Sequence, residues 1–245
     1  MKDIENMSED VQSCLKLFNS VLPWRMKLQE ILKLLGPTED CVCLEIAAHN
    51  GGMSYYLRKR GGEWHTVVTS QASMDAVKRV VGGDVHMLVD GRIPFEDNTF
   101  HKVVVVDLLE ITDSDSAFVE ECHRVLKEDG QLIINVARYT ALSLINPLRK
   151  MLARELHKEA ELYLGYSEPE LFTLLKHGFD VHAMRKYSRF LVEFVDTVVR
   201  LIVVRGGADN EGRGVYAGAA FFYWLAYQID LILFFFKGHH LLASA

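Results

Sequence analysis

The chain has 245 residues, 49% apolar and 24% charged, with a formal net charge of −6. That is enough for one packed α/β domain with additions or two small domains, and it excludes disorder over most of the length. The acidic balance argues against a nucleic-acid partner, because phosphate binding needs a basic surface, and against attraction to an anionic membrane by net charge. Any membrane contact has to be apolar.

The N-terminus, MKDIENMSEDVQ, is polar and acidic and has no apolar core of a signal peptide, so a cytoplasmic start is expected. The four cysteines are Cys14, Cys41, Cys43 and Cys122. Cys41 and Cys43 lie two apart in an apolar run, which is not a metal-ligand spacing, so free thiols and no metal site are expected.

Residues 8 to 35 read as helix, with Ser8 as cap and Pro23 dividing the stretch into two helices, the second from about Trp24 to Leu35. Strands and helices then alternate. Val42 to Ile46 reads as a strand, followed by a Gly-containing turn and a helix from Met53 to Arg60. A second strand spans His65 to Thr69, a helix Met74 to Val81, and a third strand Val85 to Val89. Lys102 to Val106, with four valines in a row, reads as a strand covered on both faces. A helix from Ser116 to Lys127, a turn at Glu128-Asp129-Gly130 and a fifth strand from Gln131 to Val136 complete the run. This alternation implies a mostly parallel sheet with right-handed crossovers, whose ligand site lies beyond the carboxyl ends of its strands.

Ser167 caps a helix over 167–177, and Phe179 to Arg185 is the expected sixth strand. The segment YSRFLVEFVDTVVRLIVV, residues 187 to 204, is apolar except for Glu193, Asp196 and Arg200, whose spacing puts them on one narrow stripe of a helix. After a polar tract comes VYAGAAFFYWLAYQIDLILFFF, residues 215 to 236, with only Gln228 and Asp230 strongly polar. That is long enough to span a bilayer, but Asp230 at mid-depth would cost roughly 2.5–3.5 kcal/mol. Tyr223, Trp224 and Tyr227 are residue types that favour a membrane interface. A helical hairpin against one leaflet, with its polar stripes turned inward, is the expectation. Phe194, Val198, Phe222, Trp224, Leu225 and Ile229 are its candidate docking side chains.

Two stretches carry a family resemblance. Asp90 to Val136, DGRIPFEDNTFHKVVVVDLLEITDSDSAFVEECHRVLKEDGQLIINV, is similar in order and spacing to the type 11 methyltransferase domain of the class I S-adenosylmethionine (SAM) methyltransferases: Pro-Phe, an acidic turn, a valine-rich strand, Leu-Glu, then Arg-Val-Leu-Lys before a glycine and a strand. CLEIAAHNGGMSYYLRKRGG, residues 43 to 62, resembles the first cofactor loop of that family.

The resemblance implies a Rossmann-like, mostly parallel seven-stranded methyltransferase sheet. On it, residues 1–37 are N-terminal helices, 38–186 and 238–245 are the methyltransferase-like domain, and 187–237 are the apolar hairpin inserted before the last strand. It also implies SAM as cofactor, with Glu45, Ala47, His49, Gly51, Gln71, Asp90 and Asp107 at the cofactor-binding positions. Several of these depart from the family. Ala47 stands at the first glycine of the loop and His49 at the middle one. A positive φ forced on Ala47 would cost on the order of 1 kcal/mol. After the second strand the sequence reads Val68-Thr69-Ser70-Gln71, with no carboxylate for the ribose hydroxyls. Asp75 is expected inside the next helix. Phe-Asp before the fourth strand is Phe100-His101, and the histidine of Leu-Glu-His is Ile111. Methyl transfer from SAM relies on positioning, so a loosened cofactor loop undermines the whole reaction.

Three functions remain. The first is a non-catalytic or weakly active accessory subunit attached through its apolar helices to a membrane surface or membrane protein complex, on the cytoplasmic side, with cofactor binding weakened or lost. The second is an active methyltransferase on an amphiphilic acceptor such as a lipid, quinone or pigment. In the third, a soluble enzyme, the apolar helices make a homodimer.

Overall fold

The computed structural model describes residues 7–47, 51–112, 114–140, 143–156, 165–206, 212–232 and 237–245. Two helices lead, α1 (Glu9–Ser20) and α2 (Leu22–Leu35). Pro23 lies in the first turn of α2, where a missing N–H is tolerated, so the break falls at Val21 and not at the proline. Ser8 precedes α1, but its hydroxyl makes no capping bond.

There follow β1 (Val42–Ala47), α3 (Gly52–Arg58), β2 (Glu63–Val68), α4 (Gln71–Val81), β3 (Val85–Met87), β4 (Phe100–Val106), α5 (Asp115–Val125) and β5 (Leu126–Ala137). The chain continues through α6 (Asn146–Leu156), α7 (Glu168–Leu175), β6 (Ala183–Arg189), α8 (Phe190–Arg205), α9 (Arg213–Ile232) and β7 (Lys237–Ser244). The strands form one seven-stranded sheet of order β3-β2-β1-β4-β5-β7-β6. Strands β1 to β5 are parallel, and β7 runs antiparallel to both β5 and β6. The expected Rossmann-like sheet is therefore present, with Cys43, Val67, Val104 and Ile133 on its parallel strands.

Alternation along each central strand feeds two cores. Leu44, Ile46, Val103, Val105, Leu132 and Ile134 pack on one face under α5 and α7, with Phe118, Cys122, Leu171 and Leu175. Cys43, Ala47, Val104, Val106 and Ile133 pack on the other, against Phe18, Leu28, Ile31, Leu35, Met53 and Leu57 of α1 to α3. Two departures from the family motif have packing roles here. The amide of Val42 donates to His101 Nδ1 at 2.9 Å, tying the start of β1 to β4. Ile111 packs against the first core. Arg124, of the Arg-Val-Leu-Lys motif, donates to the carbonyls of Ile93 and Phe95 and to Asp97 and Glu121, fixing the turn ahead of β4.

Several sequence expectations shift. Glu128-Asp129-Gly130 is not a separate turn but part of β5, and a register irregularity between Phe100 and Lys102 absorbs it. The sixth strand is Ala183–Arg189, four residues later than expected, because Phe179 and Val181 pack on the core as the chain leaves α7. The apolar insertion accordingly begins at Phe190 and not at residue 187. Helix α6 has no counterpart in the sequence reading. Helix α7 carries the expected cap, with the Ser167 hydroxyl and the Glu170 carboxylate bonding each other's backbone.

Strand order makes the junction of β1 and β4 the topological switch point, so the ligand crevice of such a sheet opens beyond Ala47 and Val106, which stand in register. The end of β6 and the start of β7 lie on this same edge, since Tyr187 and Ala137 both pair with His240. Helices α8 and α9 thus leave from and return to the ligand edge.

Candidate functional site

Of the expected cofactor positions, His49 lies outside the described residues. Ala47 ends β1, is buried, and has ordinary extended backbone: the non-glycine residues at positive φ are Asp84, Asp90, Asn98, Asp107 and Ser188 among those described. The strain expected at Ala47 is therefore absent, because the chain does not turn until after it. Gly51 does adopt positive φ (+88°), and a Cβ there would lie 3.1 Å from Val77 Cα and 3.0 Å from Val80 Cβ. Close approach to α4 accounts for this glycine as well as any ligand does.

Glu45 faces inward under α3. It is fully buried, accepts from Thr66 Oγ1 at 3.2 Å, and has Arg58 3.9 Å away. Burial pushes its carboxyl above the usual range, against the pull of Ser54, Arg58 and Thr66. It joins β1, β2 and α3. At the end of β2, Ser70 caps α4 by accepting from the Ser73 amide. Gln71 is exposed and spends its amide on Asp75, 2.8 Å away and inside α4 as expected. Asp90 is exposed in the turn after β3, two strands away from the switch point.

Asp107 is the one expected carboxylate at the crevice itself. It leaves β4 with φ +51°, and Asn135 Nδ2 donates to its Oδ1 at 2.6 Å. Its Oδ2 forms an ion pair with Lys27 Nζ, supplied by α2. Asn135 in turn accepts from the buried Tyr187 hydroxyl. Next to this chain, Glu110 accepts from the Ala137 amide. Burial first, and the charge of Asp107 second, push the Glu110 carboxyl up to about 7. Sequence reasoning did not single out Lys27, Asn135 or Tyr187. A signal for Lys27 exists, since Pro23, Lys27, Ile31 and Leu35 recur every fourth residue on the buried side of α2.

The network continues into the apolar helices. Glu193 of α8 is buried and meets Ser188, His240 and Arg149. Burial alone would raise its pKa, but His240, Arg149 and Ser188 hold it well below the usual carboxylate range. Asp196 accepts from the Tyr223 hydroxyl at 2.8 Å. Asp230 of α9 accepts from the amides of Leu191 and Val192 at 3.0 and 2.9 Å, capping α8 from a neighbouring helix. Glu193, Asp196 and Asp230 thus turn inward as expected; Arg200 keeps exposed surface, and its charge acts on Asp196, Asp107 and Glu193.

Leu17, Val21, Val199, Tyr216, Ala219 and Tyr223 form the seam between this pair and α1. On α9 only Tyr216, Ala219, Tyr223, Ala226 and Asp230 are buried in the interval 214–232. Among the outward residues, Phe221, Phe222, Trp224 and Ile232 are 61%, 58%, 57% and 76% exposed. Of the candidate docking residues, Phe194, Phe222, Trp224, Leu225 and Ile229 are exposed, and Val198 is half-buried. No helix among the described residues is long and apolar enough to cross a membrane.

Residues 44–134 match a family model described as a methyltransferase domain. No curated protein sequence matches the chain. Solved structures are similar across most of its length. A Bacillus halodurans protein described as a methyltransferase superposes with a TM-score of 0.62 at 16% identity, over 89% of this chain and 96% of its own. A Galdieria sulphuraria protein described as a sarcosine dimethylglycine methyltransferase gives 0.56 at 15%, over 91% and 83%. Geranyl diphosphate C-methyltransferase from Streptomyces coelicolor, solved with Mg2+, geranyl diphosphate and S-adenosylhomocysteine, gives 0.56 at 13%, over 89% and 76%. The chain therefore has the fold of these methyltransferases, and its residues 44–134 are similar to a methyltransferase domain.

Proposed function

We propose that this chain is a methyltransferase-like protein held at a membrane, on its cytoplasmic side, by the outer face of α9, and that it serves there as a non-catalytic or weakly active accessory subunit. The observation that carries the reading is the run on α9 from Gly214 to Ile232, whose one charged residue, Asp230, points inward. A soluble monomer rarely leaves more than a few hundred Å² of contiguous apolar surface uncovered. The breadth of the face favours lipid over one partner helix. The buried residues of α9 fall on one narrow side, and a helix pair needs only a stripe, whereas a leaflet wets half a cylinder.

SAM is the cofactor that the methyltransferase domain calls for. The frame for it is present: the switch-point crevice, Gly51 at the head of α3, and Asp90 and Asp107 at strand ends. Few side chains would hold it. The ribose side offers a neutral glutamine already bonded to Asp75, and Asp107 is engaged by Lys27 and Asn135. Weak affinity follows. One observation favours the second reading, an active enzyme on a lipid, quinone or pigment: the apolar helices spring from the crevice edge, where an amphiphilic acceptor would arrive from the membrane.

The experiment is vesicle flotation of the purified chain beside a variant with Phe222→Ser, Leu225→Ser and Ile229→Ser. The unmodified chain should float and the variant should remain in the aqueous fraction while still folded. A variant that floats equally well would refute α9 as the anchor, and a stable detergent-free dimer would replace lipid by a second copy.

A further inference from the structure

The crevice contains a cation of the chain's own. Lys27 comes from α2, sits on the buried stripe of that helix, and has a side chain only 10% exposed; its partner Asp107, the first residue after β4, is 39% exposed. The pair stands where the sheet's ligand belongs, just past Val106 and in register with Ala47 at the switch point. Glu110, held on the Ala137 amide, adds a second acid, while Arg200 and Asp196 of α8 also act on the pair electrostatically; Lys27 is the cation bonded to Asp107 directly, and Asn135 and Tyr187 complete the polar lining. Position 27 would ordinarily take an apolar residue, since every neighbour on that stripe is apolar or proline.

We infer that Lys27 determines which charge the crevice accepts: by neutralising Asp107 it disfavours a cationic ligand and favours an uncharged one of the same shape. This rests on the weak-cofactor reading above and gives it a cause. SAM carries a sulfonium, whereas S-adenosylhomocysteine has an uncharged thioether at the same atom. Other than the methyl group, the two differ only in that charge. A cation approaching a lone carboxylate gains attraction, but approaching a closed ion pair it gains little and meets the ammonium as a like charge.

The test is calorimetric titration of the whole chain with SAM and with S-adenosylhomocysteine. The quantity read is the ratio of their two Kd values, which a merely structural role for Lys27 would leave unchanged. In the unmodified chain the ratio should favour S-adenosylhomocysteine by more than about tenfold, or 1.4 kcal/mol. Lys27→Met should lower it by about tenfold, and Lys27→Arg, which keeps the charge, should retain it. The Met variant should fold, because Asp107 is 39% exposed and keeps its bond from Asn135. Should it fail to fold, Asp107→Asn shifts the ratio in the opposite direction, since it leaves the ammonium uncompensated.

Equal affinities in the unmodified chain, or a ratio unmoved in folded Lys27→Met, would overturn the inference. If the unmodified chain binds neither compound, SAM binding gained by Lys27→Met supports it, and no gain overturns it. The two readings separate cleanly. Submicromolar SAM with much tighter S-adenosylhomocysteine sinks weak cofactor binding but not charge selection, and equal weak binding does the reverse.

Discussion

The carboxyl edge of the sheet and the outer face of α9 treat their side chains in opposite ways. At the sheet edge, where a cofactor enzyme would leave polar groups for its ligand, two are engaged internally: Gln71 by Asp75, and Asp107 by Lys27 and Asn135. On α9, where a soluble domain would place charges, the surface is Phe221, Phe222, Trp224, Leu225 and Ile229, and the acid is turned inward. The contrast teaches that the helix pair meets the domain through inward polar bonds and a narrow apolar seam, while a broader apolar face stays exposed. Water-soluble folds usually do the reverse, burying apolar side chains and leaving charges outside.

Breaking the inward side should have the largest effect. Asp230→Ala removes an acceptor from two buried amides at the head of α8 and should cost about 2–3 kcal/mol. In detergent micelles that is a fall in Tm of roughly 5–10 °C for a chain of this size. An unchanged Tm would mean that water replaces the carboxylate and that the pair is looser than it looks.

A smaller change sharpens the sheet side. Gln71→Asp restores a carboxylate at the end of β2 and should tighten SAM about three- to tenfold in calorimetry, because a charged acceptor bonds hydroxyls more strongly. Ala47→Gly should add nothing, since Ala47 is unstrained and packed in the core. If it alone restored affinity, the loop and not the ribose position would be the defect.

The smallest effect is in pH dependence. The Glu110 carboxyl, raised to about 7 in the folded chain, binds its proton there more tightly than in the unfolded one. Its contribution to stability is fully present below about 4.5 and is lost as pH rises through 7. Glu110→Gln should flatten this part of a stability-against-pH curve. Glu193 works the other way: held well below the usual range, it contributes stability above about 4.5 that is lost as the medium turns acid. A Glu110→Gln curve still falling between pH 5 and 7 would place the titrating group elsewhere.

Much of the fold was legible because local pattern and global packing agree. The valine run at 103–106 could only be a strand buried on both faces, and the spacing of Glu193 and Asp196 put them on one inward stripe. Strand β6 was misplaced because it lies at the sheet edge, pairs only with β7 and reads Ala-Met-Arg-Lys-Tyr-Ser-Arg, without apolar alternation. Nothing near residue 128 announces that the Glu-Asp-Gly stretch is an irregularity within β5 and not its boundary, since that follows from the pairing of Leu126 and Gln131 with β4 on either side. At the candidate site, the missing ribose carboxylate was plain from Ser70-Gln71. The neutralisation of Asp107 was not, because Lys27 lies 80 residues away and its ion pair depends on how α2 docks.

The central claim is that α9 takes lipid as its outer partner. Flotation of the unmodified chain with vesicles at roughly 1 M salt, where the Debye length is about 3 Å, tests it most directly by removing charge attraction. The chain should remain with the vesicles and leave them only on addition of detergent. A chain that stays in the aqueous fraction, monomeric and without detergent, would contradict the account.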